Sequence, residues 1–92
     1  MQVKVNFVNG RSEIASVIMS DMVAYERTAR IRDWGGIDSE TSRLTAVAFL
    51  AWHSLNRNGV FAGQFDEFLN DAELVEAVDE TSALDPTTAP GV

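Results

Sequence analysis

A chain of 92 residues, 46% of them apolar, has the material for one compact domain with a modest core and excludes wholesale disorder. It contains no cysteine, which excludes disulfides, thiolate metal sites and a cysteine nucleophile. The net charge of −7 is unevenly spread: residues 1–60 hold all seven basic side chains and six acidic ones, whereas residues 61–92 hold eight acids and no Lys or Arg. A nearly neutral body with an acidic C-terminal third argues against nucleic-acid binding, which needs a clustered basic surface. No apolar run approaches the roughly 20 residues needed to cross a membrane. The opening MQVKVNFVNG alternates instead of placing a basic patch before an apolar stretch, so it does not read as a signal peptide.

In chain order, residues 2–8 alternate with Val3, Val5 and Phe7 on one side and Gln2, Lys4 and Asn6 on the other, the period of a half-buried strand. Asn9-Gly10 suits a two-residue type I′ turn, in which both central residues take positive φ. Residues 11–18 then supply a second strand with Ile14, Ser16 and Ile18 on its inner face. Ser20-Asp21 reads as a helix start and residues 21–33 as the first helix, with Met22, Tyr25 and Ala29 on one face and Glu26 and Arg30 placed to pair. Gly35-Gly36 reads as its end.

A second helix is expected from Asp38 or Ser39 to about Asn58, stopped by Gly59. Leu44, Val47, Ala48, Ala51 and Leu55 form its apolar stripe, which Phe49 and Trp52 broaden. Residues 61–69 read as a short third helix with Phe65, Phe68 and Leu69 at one-turn spacing. Residues 72–78 admit two readings, an extension of that helix or a short strand. The fold class is therefore α+β: an N-terminal antiparallel β-hairpin packed on two to three α-helices. Residues 1–78 form the single domain, and the Pro/Thr-containing residues 79–92 a disordered acidic tail.

The search for chemistry finds no catalytic set. His53 is the only histidine, has no HxxxH or His-x-x-Glu spacing, and reads as a structural or surface residue. The pairs Asp66-Glu67, Asp71/Glu73 and Asp79-Glu80 read as solvated acids, without the glycine and spacing of a calcium loop. Arg27, Arg30 and Arg32 are a minimal basic group, better suited to pairing with acids of this chain or of a partner than to phosphates. No cofactor or metal site is expected, and no enzyme activity. Large aromatic residues crowd the middle of the chain, and a small core is expected to leave some of them exposed as a docking patch with an acidic rim. The residues assigned to that patch are Tyr25, Phe49, Trp52, Phe65 and Phe68.

The order of MSDMVAYERTAR, a glycine break, LTAVAFLAWHSLNRNG, FDEFLND, an acidic segment and a Pro/Thr tail resembles the small tail assembly chaperones of long-tailed bacteriophages, particularly those infecting actinobacteria. The resemblance covers residues 1–78 and is carried by Tyr25 to Thr28, Phe49 to Trp52 and Phe65 to Leu69. It implies a non-enzymatic protein of the host cell cytoplasm, absent from the mature virion. Such a protein binds the tape measure protein, helps recruit tail tube subunits, and self-associates to cover a long partner. It also implies a frameshifted longer form joined near residue 79. The competing readings are an acidic DNA-mimic inhibitor and a small structural head–tail joining protein.

Overall fold

The computed structural model describes residues 1–36, 40 and 42–78. The expected tail at 79–92 and the expected helix start at Asp38 or Ser39 lie outside the described residues. The element order is β1 (Gln2–Phe7), β2 (Ser12–Ser16), α1 (Met19–Arg32), α2 (Arg43–Arg57), α3 (Phe65–Asp71) and β3 (Ala72–Val78). The strands make one antiparallel sheet in the order β2-β1-β3, and the helices cover one of its faces. The α+β class and the N-terminal hairpin on helices are as expected. Residues 72–78 are a strand.

The hairpin differs from expectation in its turn, and the difference propagates. Asn9 does not take positive φ; Gly10 alone does so in the loop, at 92°. The Gly10 N–H bonds the Phe7 carbonyl at 2.9 Å, and the Phe7 N–H bonds the Arg11 carbonyl at 2.8 Å. This is a three-residue loop, a turn closed by one left-handed glycine. Asn9 contributes through its side chain, whose Oδ1 accepts the Arg11 N–H at 2.9 Å. One extra loop residue slips the pairing by one, so Val3 lies opposite Ala15 and Val5 opposite Glu13. A one-residue slip exchanges the faces of a strand. Ala15 and Val17 are therefore buried, while Ile14 is 51% exposed and Ile18 also faces solvent, reversing the expected inner face.

α1 begins earlier than expected, at Met19 with Ile18 at the cap position. Ile18 has no side-chain acceptor; instead Asp21, three residues on, accepts the Ile18 N–H at 2.9 Å. Tyr25 and Ala29 are buried and Met22 is half-buried, as the spacing implies, but Glu26 and Arg30 form no ion pair. The helix ends at Asp33, in the left-handed conformation at φ 60°, before the two glycines are reached. On α2 the stripe holds at Ala48, Ala51 and Leu55, with Val47 half-buried, but Leu44 is 73% exposed. α3 starts at Phe65, four residues later than expected, because Phe61 is turned into the core by a loop. The Glu67 carboxylate accepts the Gln64 N–H at 2.7 Å and closes the first turn of α3.

The core has two aromatic groups. Phe7, Phe61 and Phe68 pack under the hairpin end of the sheet, with centroids 5.4–6.2 Å apart. Tyr25, Trp34, Phe49, Trp52 and Phe65 form the second group between the helices, mostly edge to face. The Tyr25 hydroxyl donates to the Gly35 carbonyl at 2.8 Å, and the Trp52 indole N–H to the Gly63 carbonyl at 3.0 Å. Both aromatic residues thereby pin a loop to the core.

The slipped register makes a direct prediction. Ile14→Thr is expected to change stability by no more than about 0.5 kcal/mol, because the side chain faces water. Ala15→Asp is expected to cost at least about 3 kcal/mol, because it buries an unpaired carboxylate. Urea unfolding of both variants checks this; the reverse order of damage would indicate the two-residue turn.

Candidate functional site

The polar centre of the molecule is Asp21, which is fully buried. The slip in β2 helps to build it. Phe7 with Arg11 and Met1 with Val17 are hydrogen-bonded pairs, so alternation makes Gln2 and Ser16 a non-hydrogen-bonded pair. The Ser16 carbonyl then points away from β1, at the open edge of β2, and needs a partner from elsewhere. It finds two on α2: the Ser54 hydroxyl donates to it at 2.7 Å and Arg57 Nη2 at 3.2 Å.

Arg57 also embraces Asp21, donating from Nε to Oδ1 at 3.2 Å and from Nη2 to Oδ2 at 3.0 Å. His53, one helical turn before Arg57, places Nδ1 2.6 Å from Asp21 Oδ1. An ionised carboxylate only accepts, so the imidazole carries its proton on Nδ1. With the Ile18 N–H as a further donor, no buried side-chain polar atom among the described residues lacks a partner. Burial alone would raise the Asp21 pKa, but the bonds from Arg57, His53 and Ile18 outweigh it, and the carboxyl is held below its ordinary value.

A carboxylate that orients a histidine is half of a hydrolytic triad, and this arrangement stops there. Thr28 lines the same cleft as His53, yet no hydroxyl hydrogen-bonds to the imidazole among the described residues. Arg57 already neutralises Asp21, as in a structural ion pair. No group of three metal-ligating side chains occurs among the described residues, and no helix there is long and apolar enough to cross a membrane.

The surface beside His53 is concave. A cleft of about 480 Å³ runs between α1 and the start of α3, with Arg27, Thr28 and Arg32 on one wall and Trp52, His53, Gln64 and Asp66 on the other. Phe49 and Phe65 form its floor. It continues past Arg32, Phe65 and Asp66 into a second groove of about 260 Å³ lined by Trp34, Leu44, Ala48 and Leu69. Leu44 and Leu69 are largely exposed at its rims, and the Arg32 guanidinium lies 5.3 Å from the centre of the Trp34 ring.

The residues expected to form an exposed aromatic patch are therefore placed differently. Tyr25, Phe49 and Phe65 are buried between the helices and Phe68 under the sheet beside Phe7 and Phe61; Trp52 is half-buried with its N–H committed to Gly63. Phe49, Trp52 and Phe65 meet at the cleft, whereas Tyr25 and Phe68 do not line it. Sequence reasoning missed Asp21, Arg57 and Ser54 as a unit. The available signal was His53-x-x-x-Arg57 on one helix face, two donors that call for one acid. Of the two kinds of acid expected to pair with the α1 arginines, those of this chain do not: Arg27, Arg30 and Arg32 make no ion pair among the described residues. Comparison of the chain with protein-family models, curated proteins and solved structures finds no match.

Removing the acid is expected to be costly. Asp21→Asn should destabilise the fold by about 3 kcal/mol, the lower end for breaking a buried pair, because Arg57 keeps some access to water. The pH dependence has a definite sign. A folded pKa below the unfolded one, about 3.9 for Asp, stabilises the fold at neutral pH. That contribution is lost as pH falls through the folded value. Urea midpoints measured from pH 7 down to pH 3 should fall less steeply for Asp21→Asn than for the parent.

Proposed function

We propose that this protein is a non-enzymatic tail assembly chaperone of a long-tailed phage, which holds amphipathic helices of the tape measure protein and helps recruit tail tube subunits. It acts in the host cytoplasm in several self-associating copies and is left out of the mature virion. The identity of the partner rests on the resemblance in the sequence. The observation that supports this mode of action is the groove between Leu44 and Leu69, continuous with the His53 cleft.

Leu44 and Leu69 are large apolar side chains left in water at the rims of a concavity whose floor is already apolar. A helix laid there would present residues at three- and four-residue spacing to both rims. Burying the two leucines would restore the apolar contact that folding leaves unmade, at roughly 25 cal/mol per Å². Arg32 and Asp66 flank the join between groove and cleft and supply polar contacts of both signs. The net charge of −7 keeps the free protein soluble while it presents this surface.

The test is co-expression with a tape measure protein from a long-tailed actinobacteriophage. The parent chain is expected to keep that protein soluble and to co-purify with it. Leu44→Asp with Leu69→Asp should abolish co-purification while shifting the unfolding free energy by no more than about 1 kcal/mol, since both side chains are exposed. Recovery of a nuclease that DNA competes away would replace this reading with the DNA mimic. Detection in purified virions would replace it with the joining protein.

A further inference from the structure

The cleft beside the groove has a chemistry of its own. Arg27 and Arg32 reach it from α1, both exposed and both without an ion pair among the described residues. His53 reaches it from α2 and stacks nearly parallel on Phe49 at 5.9 Å. With Nδ1 held by Asp21, the imidazole has Nε2 left for any further bond. Asp66, at the start of α3, is the one acidic side chain lining the cleft. Asp21 lies behind His53 and is matched by Arg57. On a chain of net charge −7, the cleft is a local basic opening.

We infer that this cleft receives a carboxylate side chain from the docked helix, paired by Arg27 and Arg32 and hydrogen-bonded by His53. The inference rests on the proposed function and adds the chemistry of the partner: an acid set beside its apolar stripe. A small free anion would gain only the charges. A helix seated on Leu44 and Leu69 would deliver its acid to the cleft already oriented. A protonated His53 donates from Nδ1 to Asp21 and from Nε2 to the incoming carboxylate. The charged groups around the imidazole are Asp21, Arg27 and Arg32 from α1, Arg57 from α2 and Asp66 from α3.

His53 is the only histidine, so its ring ¹H–¹³C signals report the cleft without ambiguity. The probe is an 18-residue amphipathic helix of Leu, Ala, Gln and Lys with one Glu beside the leucine stripe, compared with a twin carrying Gln there. Tryptophan fluorescence reports occupancy of the docking surface as a whole, through Trp34 at the groove and Trp52 at the cleft, and His53 reports the cleft. The Glu peptide is expected to bind about tenfold more tightly than its twin at pH 6, the scale of a charge-assisted hydrogen bond. It should shift the His53 ring, and should lose its advantage in the variant carrying Arg27→Gln and Arg32→Gln. Equal binding of both peptides with a fluorescence change would overturn the carboxylate site and leave the groove standing. No fluorescence change with either peptide would overturn both. Inorganic phosphate shifting His53 at the same concentrations as the Glu peptide would also overturn the inference, because the site would then serve a small free anion.

Discussion

The buried carboxylate of Asp21 ties the start of α1 and the adjoining end of β2 to α2, more than thirty residues further along the chain. It caps the first turn of α1 through Ile18, receives His53 and Arg57 from the last turns of α2, and through Arg57 is linked to the Ser16 carbonyl at the end of β2. Burying an ionised acid is unfavourable by several kcal/mol unless every lone pair is used. Here four donor contacts use them. The gain is in specificity more than in raw stability. A hydrophobic residue at this position could pack in several ways, whereas a carboxylate with fixed donors admits one docking of α2 against the hairpin. β2 is an edge strand, and an edge carbonyl left dry would carry its own penalty. Arg57 and Ser54 meet that need and the needs of Asp21 with the same helix face.

The aromatic residues divide the remaining work. Phe7, Phe61 and Phe68 close the sheet near the hairpin, while Tyr25, Trp34, Phe49, Trp52 and Phe65 fill the space between helices. Loops are held by the polar ends of these side chains: Gly35 by Tyr25 and Gly63 by Trp52. Gly63 has to be small for this. A methyl group there would stand 2.9 Å from a Glu67 carboxylate oxygen and 3.0 Å from the Phe61 ring. The same Glu67 caps α3, so the glycine, the cap and the position of the α3 wall of the cleft depend on one another.

Much of this architecture was legible in the sequence, and what was not had a local cause. Period-two alternation gave β1, and the apolar spacing gave both long helices, because those signals repeat over many residues. The face of β2 was not legible: Asn9-Gly10 fits a two-residue and a three-residue loop equally well, and Ile14 looks a better inner residue than Ala15. The residues that face inward, Ala15 and Val17, are those covered where α2 packs on the hairpin. The aromatic patch was misjudged for a related reason. Local spacing shows which aromatic residues share a helix face, but not how much room three helices leave between them. Asp21 carried the signature of an ordinary helix start, and only the approach of α2, over thirty residues later, makes it the centre of a network.

The candidate site follows from that division between core and surface. Once Tyr25, Phe49, Phe65 and Phe68 are committed to the interior, the large apolar side chains left exposed are aliphatic or methionine, and two of them, Leu44 on α2 and Leu69 on α3, stand at the rims of a groove. Aliphatic rims over an aromatic floor accept varied side chains, which suits a partner whose helix is long and not strictly repeated. The charge pattern narrows what is accepted. Asp66 stands at the start of α3, while Arg27 and Arg32, without an ion pair among the described residues, stand on α1, so a helix laid there would meet unlike charges on its two flanks. Because His53 joins the Asp21 network to the cleft wall, a group bound in that cleft would meet a residue that holds α2 to the start of α1. The wall of the cleft and the interaction that specifies the fold are thus separated by a single imidazole ring.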